Sequence, residues 1–543
     1  MVPFFLNYKK RIVFLIICSS LLRMAVAGSL ELGNDEAYYQ TYAQHLQWNY
    51  FDHPPMVALL IRLTTFNLSH AHEFFIRLGA IICAAAGTWL IFKIGFQLKN
   101  EHTGWIAALL YTASFYTSVI AGIFILPDSP QVIFWLLAMY YMICILDENI
   151  TVPKQSLYFI FMGISTGLCI MSKLHGVFLF FGFLAYIIFH RIDLLKSTML
   201  WISVIIIILI ISPIFFWNLG NHFITYTYHQ GRIGFWGNRP DMGHLLQQVL
   251  GSVFYNNPVN FVIYIFTVYA LIKRTFKNPP KAYPLLLWLS IPLITCLVLI
   301  SFFNETLPHW SGPAYLSLML LSACWMEERL PARITSWLKT AISVFVVVAL
   351  IGTLSIRFLP FAIGSRERKY LGKGDITLDM SGWKLFAAHF DSLVQSDLHS
   401  GMMKPGAVII SDYWFPAAHL DFYIGVPFHH NLLVFGNLND IHHFAWLNQR
   451  RSRLTRGSDA YFIYPTNEYG PPKQKLKNEF VQVEDSILIP QFRTGIMVRY
   501  FVIYRMHNFQ GDSSDYLIQG MPVTRSLPVY LNSCTKEIPN ELF

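Results

Sequence analysis

Apolar residues in this chain gather into runs of roughly 17–25 residues, the length a helix needs to cross a bilayer. Such runs lie near 12–30, 76–98, 104–125, 130–147, 156–172, 175–189, 199–218, 250–272, 284–303, 312–326 and 338–360. The pattern predicts a polytopic α-helical membrane protein of about eleven spans. The first run follows Lys9, Lys10 and Arg11, as in a signal peptide. Because many further spans follow it, it is read as a retained first helix.

Beyond residue 360 the pattern changes. The remaining stretch, 361–543, is polar and carries Gly364, Gly372, Gly374 and Gly382. Its short apolar runs, Ala407–Ile410, Ala460–Tyr464 and Ile496–Tyr504, alternate with helix-like stretches, Trp383–Val394 and Ile441–Asn448. This predicts two units: a membrane domain over 1–360 and a small α/β domain over 361–543.

Composition supports lipid as the solvent. Of 543 residues 54% are hydrophobic and only 13% charged, against about 25% charged in soluble domains. The net charge of +9 does not imply nucleic acid, because the basic residues punctuate the gaps between apolar runs. With the N-terminus inside, the inner segments hold Lys9, Lys10, Arg11, Lys93, Lys99, Lys154, Arg191, Lys196, Lys273, Arg274, Lys277, Lys281, Arg329, Arg333 and Lys339. The outer short loops hold Arg62, Lys173, Arg232 and Arg239, with Arg77 at a boundary. Positive residues favour the cytoplasmic side, so 361–543 is expected outside. Of the seven cysteines only Cys534 lies in a polar region, which leaves no intramolecular disulfide framework there.

The outer loops carry the candidate chemistry. The first begins Gly33-Asn34-Asp35-Glu36, where Asn34 would cap a helix and the two acids would lie in its first turn. An acidic pair at the mouth of a membrane protein is also placed to face a lipid-borne substrate. Phe51-Asp52-His53-Pro54-Pro55 follows; its prolines rigidify the turn. The second loop is Leu126-Pro127-Asp128-Ser129-Pro130. There Ser129 and Pro130 read as a helix start, which leaves Asp128 unexplained, and ionisable residues at a membrane edge are functional candidates. Lys173, in Met171-Ser172-Lys173-Leu174-His175-Gly176, breaks a long apolar region and either snorkels or binds phosphate. Later loops add His229, Arg232, His309 and Trp310. The pairs His429-His430 and His442-His443 could bind a metal, but nothing in their spacing fixes a geometry.

Taken together, these segments resemble the GT-C membrane glycosyltransferases. They are similar in particular to bacterial members of the dolichyl-phosphate-mannose–protein mannosyltransferase superfamily and their lipid A aminoarabinose transferase relatives. The segments that carry the likeness are Leu126–Pro130, Leu168–Val177 and Pro308–Leu316, with Gly382-Trp383 and Asp412–Tyr423 in the tail. The resemblance implies a GT-C fold and transfer of one sugar, with inversion, from a polyprenyl monophosphate donor to an acceptor (protein, lipid A or glycan) on the outer face of a bacterial inner membrane. It puts Asp35, Glu36 and Asp128 among the catalytic acids. It puts His53, Lys173, His175, Arg232, His309 and Trp310 at the donor phosphate and sugar. His53 stands where the aminoarabinose transferases have a lysine. No cofactor is required, since the donor is already a lipid phosphate ester, and a divalent cation is compatible with such a donor.

A transporter or flippase of a polyprenyl-linked sugar would instead carry its ionisable residues at mid-bilayer on interrupted helices, often in repeated halves. A polysaccharide ligase is hard to separate from a single-sugar transferase on residues alone.

Overall fold

The computed structural model describes residues 7–234, 239–329 and 331–511; Cys534 and the end of the tail lie outside them. The chain opens with helix α1 (Tyr8–Ser29), a short α2 (Asn34–Gln44), α3 (Met56–Thr64) and the long α4 (Glu73–Leu98). Next come α5 (Glu101–Ala113), a π-helical turn (Tyr116–Ile120), α6 (Asp128–Ile145), α7 (Val152–Ser172), α8 (Val177–His190) and α9 (Thr198–Gly220). The membrane region is completed by α10 (Ile224–Ile233), α11 (Met242–Tyr255), α12 (Pro258–Ile272), α13 (Tyr283–Trp288), α14 (Ile291–Ser301), α15 (Gly312–Glu327) and α16 (Pro331–Phe358).

Among the described residues seven helical segments, α13 and α14 taken together as one, are long and apolar enough to span a bilayer, or eight if α11 and α12, bent by 100°, count as one span. This differs from the eleven apolar runs of the sequence. The run 104–125 is broken after α5, where Ser114, Thr117 and Ser118 spend their hydroxyls on backbone carbonyls. Helices α8 and α15 are short, and α15 is buried along nearly its whole length. A helix wrapped in protein does not need the bilayer's length to be stable.

The C-terminal region forms one mixed sheet on which α17 (Trp383–His399) packs. Its strands are β1 (Val408–Ser411), β2 (Leu432–Val434), β3 (Ala460–Pro465), β4 (Phe480–Val483), β5 (Ile487–Arg493) and β6 (Ile496–Phe509). They run in the order β2-β1-β3-β6-β4, with β5 also on β6; the first three are parallel and the β6 pairings antiparallel. The expected strands at 407–410, 460–464 and 496–504 are present. The expected helix Ile441–Asn448 is broken into Leu438–Ile441 and Phe444–Leu447, because His442 takes a positive φ of 50°, which ends a right-handed helix.

The two regions are joined by a shared interior. One hydrophobic cluster includes Tyr38, Tyr42, Phe51 and Ile61 from the first loop and Trp383, Phe386, Phe415 and Trp446 from the tail. Polar contacts reinforce it. The Glu31 carboxylate accepts the backbone N–H groups of Trp383 and Lys384 at 2.7 and 3.2 Å, satisfying orphan donors at the start of α17 where the helix dipole favours an anion. Arg493 donates to the carbonyls of Ile356, Leu359 and Phe361, closing the C-terminal end of α16 in the same way. The sheet region is thereby fixed to the segment after α1 and to the end of α16, and Tyr423 and Lys384 add contacts to Glu73 at the start of α4.

Candidate active site

Arg77 and Glu36 organise this end of the molecule. Arg77, fully buried at the start of α4, holds Glu36 through two parallel bonds, Nε–Oε1 at 2.8 Å and Nη2–Oε2 at 2.5 Å. Its remaining N–H groups reach the carbonyls of Ala27, Leu30 and Glu31 at the end of α1. Glu36 also accepts from the backbone N–H of Gly33 and of Ile125. This one pair therefore ties α1, α2, α4 and the second loop together. Glu36, grouped with Asp35 in the sequence reading as a catalytic acid, has both oxygens spent on this network. The helix start also shifts by one residue: Gly33 rather than Asn34 is the cap, and the Asn34 amide oxygen faces His419 Nε2 at 3.2 Å.

Next to Glu36, Asp35 points elsewhere. It is solvent-accessible and has no hydrogen-bond or ion-pair partner among the described residues. Protein nonetheless stands close enough around its carboxyl to displace much of the bulk water. Loss of bulk water pushes its carboxyl up to about 6, against the pull of Lys173 and Arg232 and with the repulsion of Glu36 and Asp128. Accessible to solvent yet surrounded by protein, it behaves as a carboxylate on the wall of a wet cleft.

Asp128 and Lys173 pair close by, near enough for both charges to act on Asp35. Asp128 opens α6 and Lys173 follows the last residue of α7 in an extended conformation. Their Oδ2 and Nζ are 2.8 Å apart with 1% and 3% of each residue exposed. Tyr116 donates to the other Asp128 oxygen at 3.0 Å. Lys173 therefore does not snorkel; its ammonium is dry and paired. Its backbone is held by Gln131 Nε2 and Gly176 N–H on its carbonyl. Gly176 is needed there because a Cβ would sit 2.8 Å from the Cys169 backbone. Ser129, expected as a helix cap, lies inside α6 and gives its hydroxyl to the Phe124 carbonyl.

The other candidates surround this pair. The Lys173 charge acts on Asp35, His53, His175 and His309 as well as on Asp128. Burial, with Lys173 nearby, holds His53 well below its ordinary value and His309 down at about 4; both imidazoles are neutral near pH 7. Arg232 sits on α10 one turn after Tyr228, donates to its hydroxyl at 3.3 Å, and lies over the Trp310 ring at 5.0 Å. His175 approaches the same indole at 5.6 Å. Among the described residues Arg232 has no carboxylate partner.

Several members of the cluster were not singled out from sequence. Asp52 is buried and accepts the hydroxyls of Tyr42 and, at 3.1 Å, Tyr38. Burial raises its carboxyl to about 6 while the two tyrosines pull it down. His229 Nε2 lies 2.9 Å from the Asp52 carbonyl oxygen, an acceptor only, so that nitrogen carries the proton. The tail contributes directly: the His443 backbone N–H donates to the Tyr38 oxygen, and Trp414, stacked with His442, packs on the Tyr38 ring at 5.1 Å. His442 and His443 are thus spent on aromatic packing. Among the described residues no three His, Cys, Asp or Glu side chains are grouped to hold a metal ion. The visible signal for Asp52 was its place beside His53 in a proline-locked turn; for Tyr116, one aromatic among many, there was none.

Known proteins resemble this chain in both sequence and fold. The family described as dolichyl-phosphate-mannose-protein mannosyltransferase matches residues 52–217, the stretch from Asp52 and His53 through Asp128 and Lys173. A lipid A galacturonosyltransferase, RgtD of Rhizobium johnstonii, is 23% identical over 356 residues, 63% of this chain and 71% of its own. The crystal structure of ArnT from Cupriavidus metallidurans bound to undecaprenyl phosphate superposes with a TM-score of 0.60 at 14% identity, covering 90% of this chain and 97% of that one. The mycobacterial arabinofuranosyltransferase AftD superposes at 0.52 and 12% identity, over 93% of this chain and 40% of its own. The matched segment, the sequence relative and the fold agree: the chain is a multi-pass helical membrane protein with the GT-C glycosyltransferase fold, similar in sequence within its first half to the mannosyltransferase family.

Proposed function

We propose that the protein transfers a single sugar, with inversion, from a polyprenyl monophosphate donor to a hydroxyl of an acceptor at the outer face of a bacterial inner membrane. Asp35 is the general base: it is unpartnered, accessible and raised to about 6, the range in which a base is strong enough to take a proton and still ionised near neutrality. The acceptor oxygen attacks C1 from the face opposite the phosphate, through an oxocarbenium-like state. The C1–O bond to phosphate breaks as the new glycosidic bond forms, and the electron pair leaves on the phosphate. Arg232 is the cation that meets that phosphate. Lys173 supplies positive field from its place beside Asp128, while neutral His53, His175 and His309, with Trp310, donate hydrogen bonds or pack on the sugar. Glu36 positions Asp35 through Arg77.

The observation that carries the reading is the meeting of Asp35, Asp128, Lys173 and Arg232, from four separate loops, in one electrostatic cluster. The relative named for lipid A supports a lipid A acceptor, and the neighbour holding undecaprenyl phosphate supports the donor class. Arg232→Ala is expected to raise the donor KM about tenfold or more, the worth of one charge-assisted hydrogen bond, and to leave the acceptor KM unchanged. An unaltered donor KM would remove Arg232 from the phosphate. The orientation follows from the basic residues of the inner loops. A phosphatase reporter fused after Ser365 is expected to be active outside the cytoplasm, and a cytoplasmic signal would reverse the site's sidedness.

A further inference from the structure

Arg23 lies within the span α1, only 1% exposed, and no carboxylate faces it among the described residues. Its guanidinium donates to Ser19 Oγ at 3.0 Å and to Ser118 Oγ at 2.9 Å, while Nε has no partner. A charge inside a membrane span is costly and marks function by default. Ser118 belongs to the π-helical turn that follows the break after α5. π-turns are uncommon and recur at functional sites.

The turn is built by hydroxyls. Thr117 and Ser118 reach back six residues to the carbonyls of Tyr111 and Thr112, at the end of α5, where the Tyr111 carbonyl otherwise takes, among the described residues, only the Ser114 N–H at 3.3 Å. The Ser118 proton is thereby committed to Thr112, and its lone pairs are left for Arg23. The widened turn closes through the Ala121 N–H on the Tyr116 carbonyl at 2.8 Å. Gly122 follows because a Cβ there would meet the Thr117 and Ser118 carbonyl oxygens at 2.5 and 2.8 Å. On the same turn Tyr116 aims its hydroxyl at Asp128, and its ring fills the space left by Gly312, in the segment that carries His309 and Trp310.

We propose that Arg23 is a positioning residue: by clamping Ser118 to α1 it holds the π-turn in register, so that Tyr116 reaches Asp128 and fixes the Asp128–Lys173 pair. Relaxation of the turn to α-geometry would rotate Tyr116 off the carboxylate and free Asp128 to turn, carrying the Lys173 ammonium with it. The kinetic part rests on the transferase reading above; the structural part does not.

The test combines steady-state kinetics with cryo-electron microscopy of the full chain in lipid nanodiscs. Arg23→Met is expected to lower kcat about tenfold or more with both KM values little changed, and Arg23→Lys to recover most of the loss. Arg23→Met combined with Tyr116→Phe is expected to be no slower than the slower single variant, since both act through one hydrogen bond. The Arg23→Met map should show the Tyr116 hydroxyl away from Asp128. If Arg23→Met does not fold, Ser118→Ala removes the acceptor and leaves the cation, with the same expected map and a smaller fall in kcat. Wild-type kcat in these variants, additive losses in the double variant, or Tyr116 still bonded to Asp128 would overturn the proposal. Should the wild-type protein transfer no sugar, the functional reading fails while the map still decides the role of Arg23.

Discussion

Asp35→Asn is expected to lower turnover by roughly two to four orders of magnitude, the usual worth of a general base, in a protein that folds and inserts normally. The substitution keeps shape and removes only the charge. Asp35 has no partner to lose among the described residues. Its carboxyl, raised from 3.8 to about 6 by its surroundings, binds its proton more tightly folded than unfolded. Stability tied to this group is therefore present below about pH 4 and lost as pH rises through about 6. At pH 7.5 the Asp35→Asn variant should melt no lower than wild type. The same titration sets activity in the opposite sense: the base form exists above about 6, so wild-type kcat/KM should rise with pH through that value and level off. Asp52 titrates in the same range, and the limb belongs to Asp35 if it vanishes from the residual activity of Asp35→Asn. Wild-type turnover in that variant would exclude Asp35 as base.

Breaking the Asp128–Lys173 pair should cost both stability and activity. Lys173→Ala strands a carboxylate that is 1% exposed with only the Tyr116 hydroxyl beside it. Removing one partner of a buried pair typically destabilises by about 3–5 kcal/mol. Asp128→Asn strands the ammonium with a comparable cost. The combination Lys173→Met with Asp128→Leu separates the two roles, because an apolar pair of similar volume is often neutral or stabilising. It is expected to recover the melting temperature in detergent without recovering transfer. Recovery of both would make the pair a structural bridge only. Loss of transfer with wild-type stability in Lys173→Ala would mean that the ammonium is not dry.

The residues most visible in the sequence were charges in the outer loops and at the edges of apolar runs. Asp128 and Lys173 stood out because lipid makes an ionisable group expensive, Asp35 as part of an acidic pair at a helix start and Arg232 as a cation of an outer loop, and the four fall in one electrostatic cluster. Their partners were hidden by distance along the chain. Arg77 meets Glu36 across 41 residues and Lys173 meets Asp128 across 45, and no local pattern encodes such pairings. Glu36 looked equivalent to Asp35 for that reason; only Arg77 distinguishes the tied acid from the open one. Tyr116 and Tyr38 were concealed by abundance, as aromatic residues in a chain that is 16% aromatic. Strands β1, β3 and β6 were legible from short apolar runs between turns. The break at His442 was not, since a positive φ in a non-glycine residue leaves little trace in residue type.

The central claim is that this chain forms a glycosidic bond at the expense of a polyprenyl phosphate ester. The purified protein in nanodiscs, given a radiolabelled polyprenyl-monophosphate sugar and lipid A, should yield labelled lipid A and an equal amount of free polyprenyl phosphate, with Asp35→Asn protein producing neither. Donor that crosses the bilayer intact, or donor left unconsumed across a panel of sugars and acceptors that includes glycans and proteins, would contradict it.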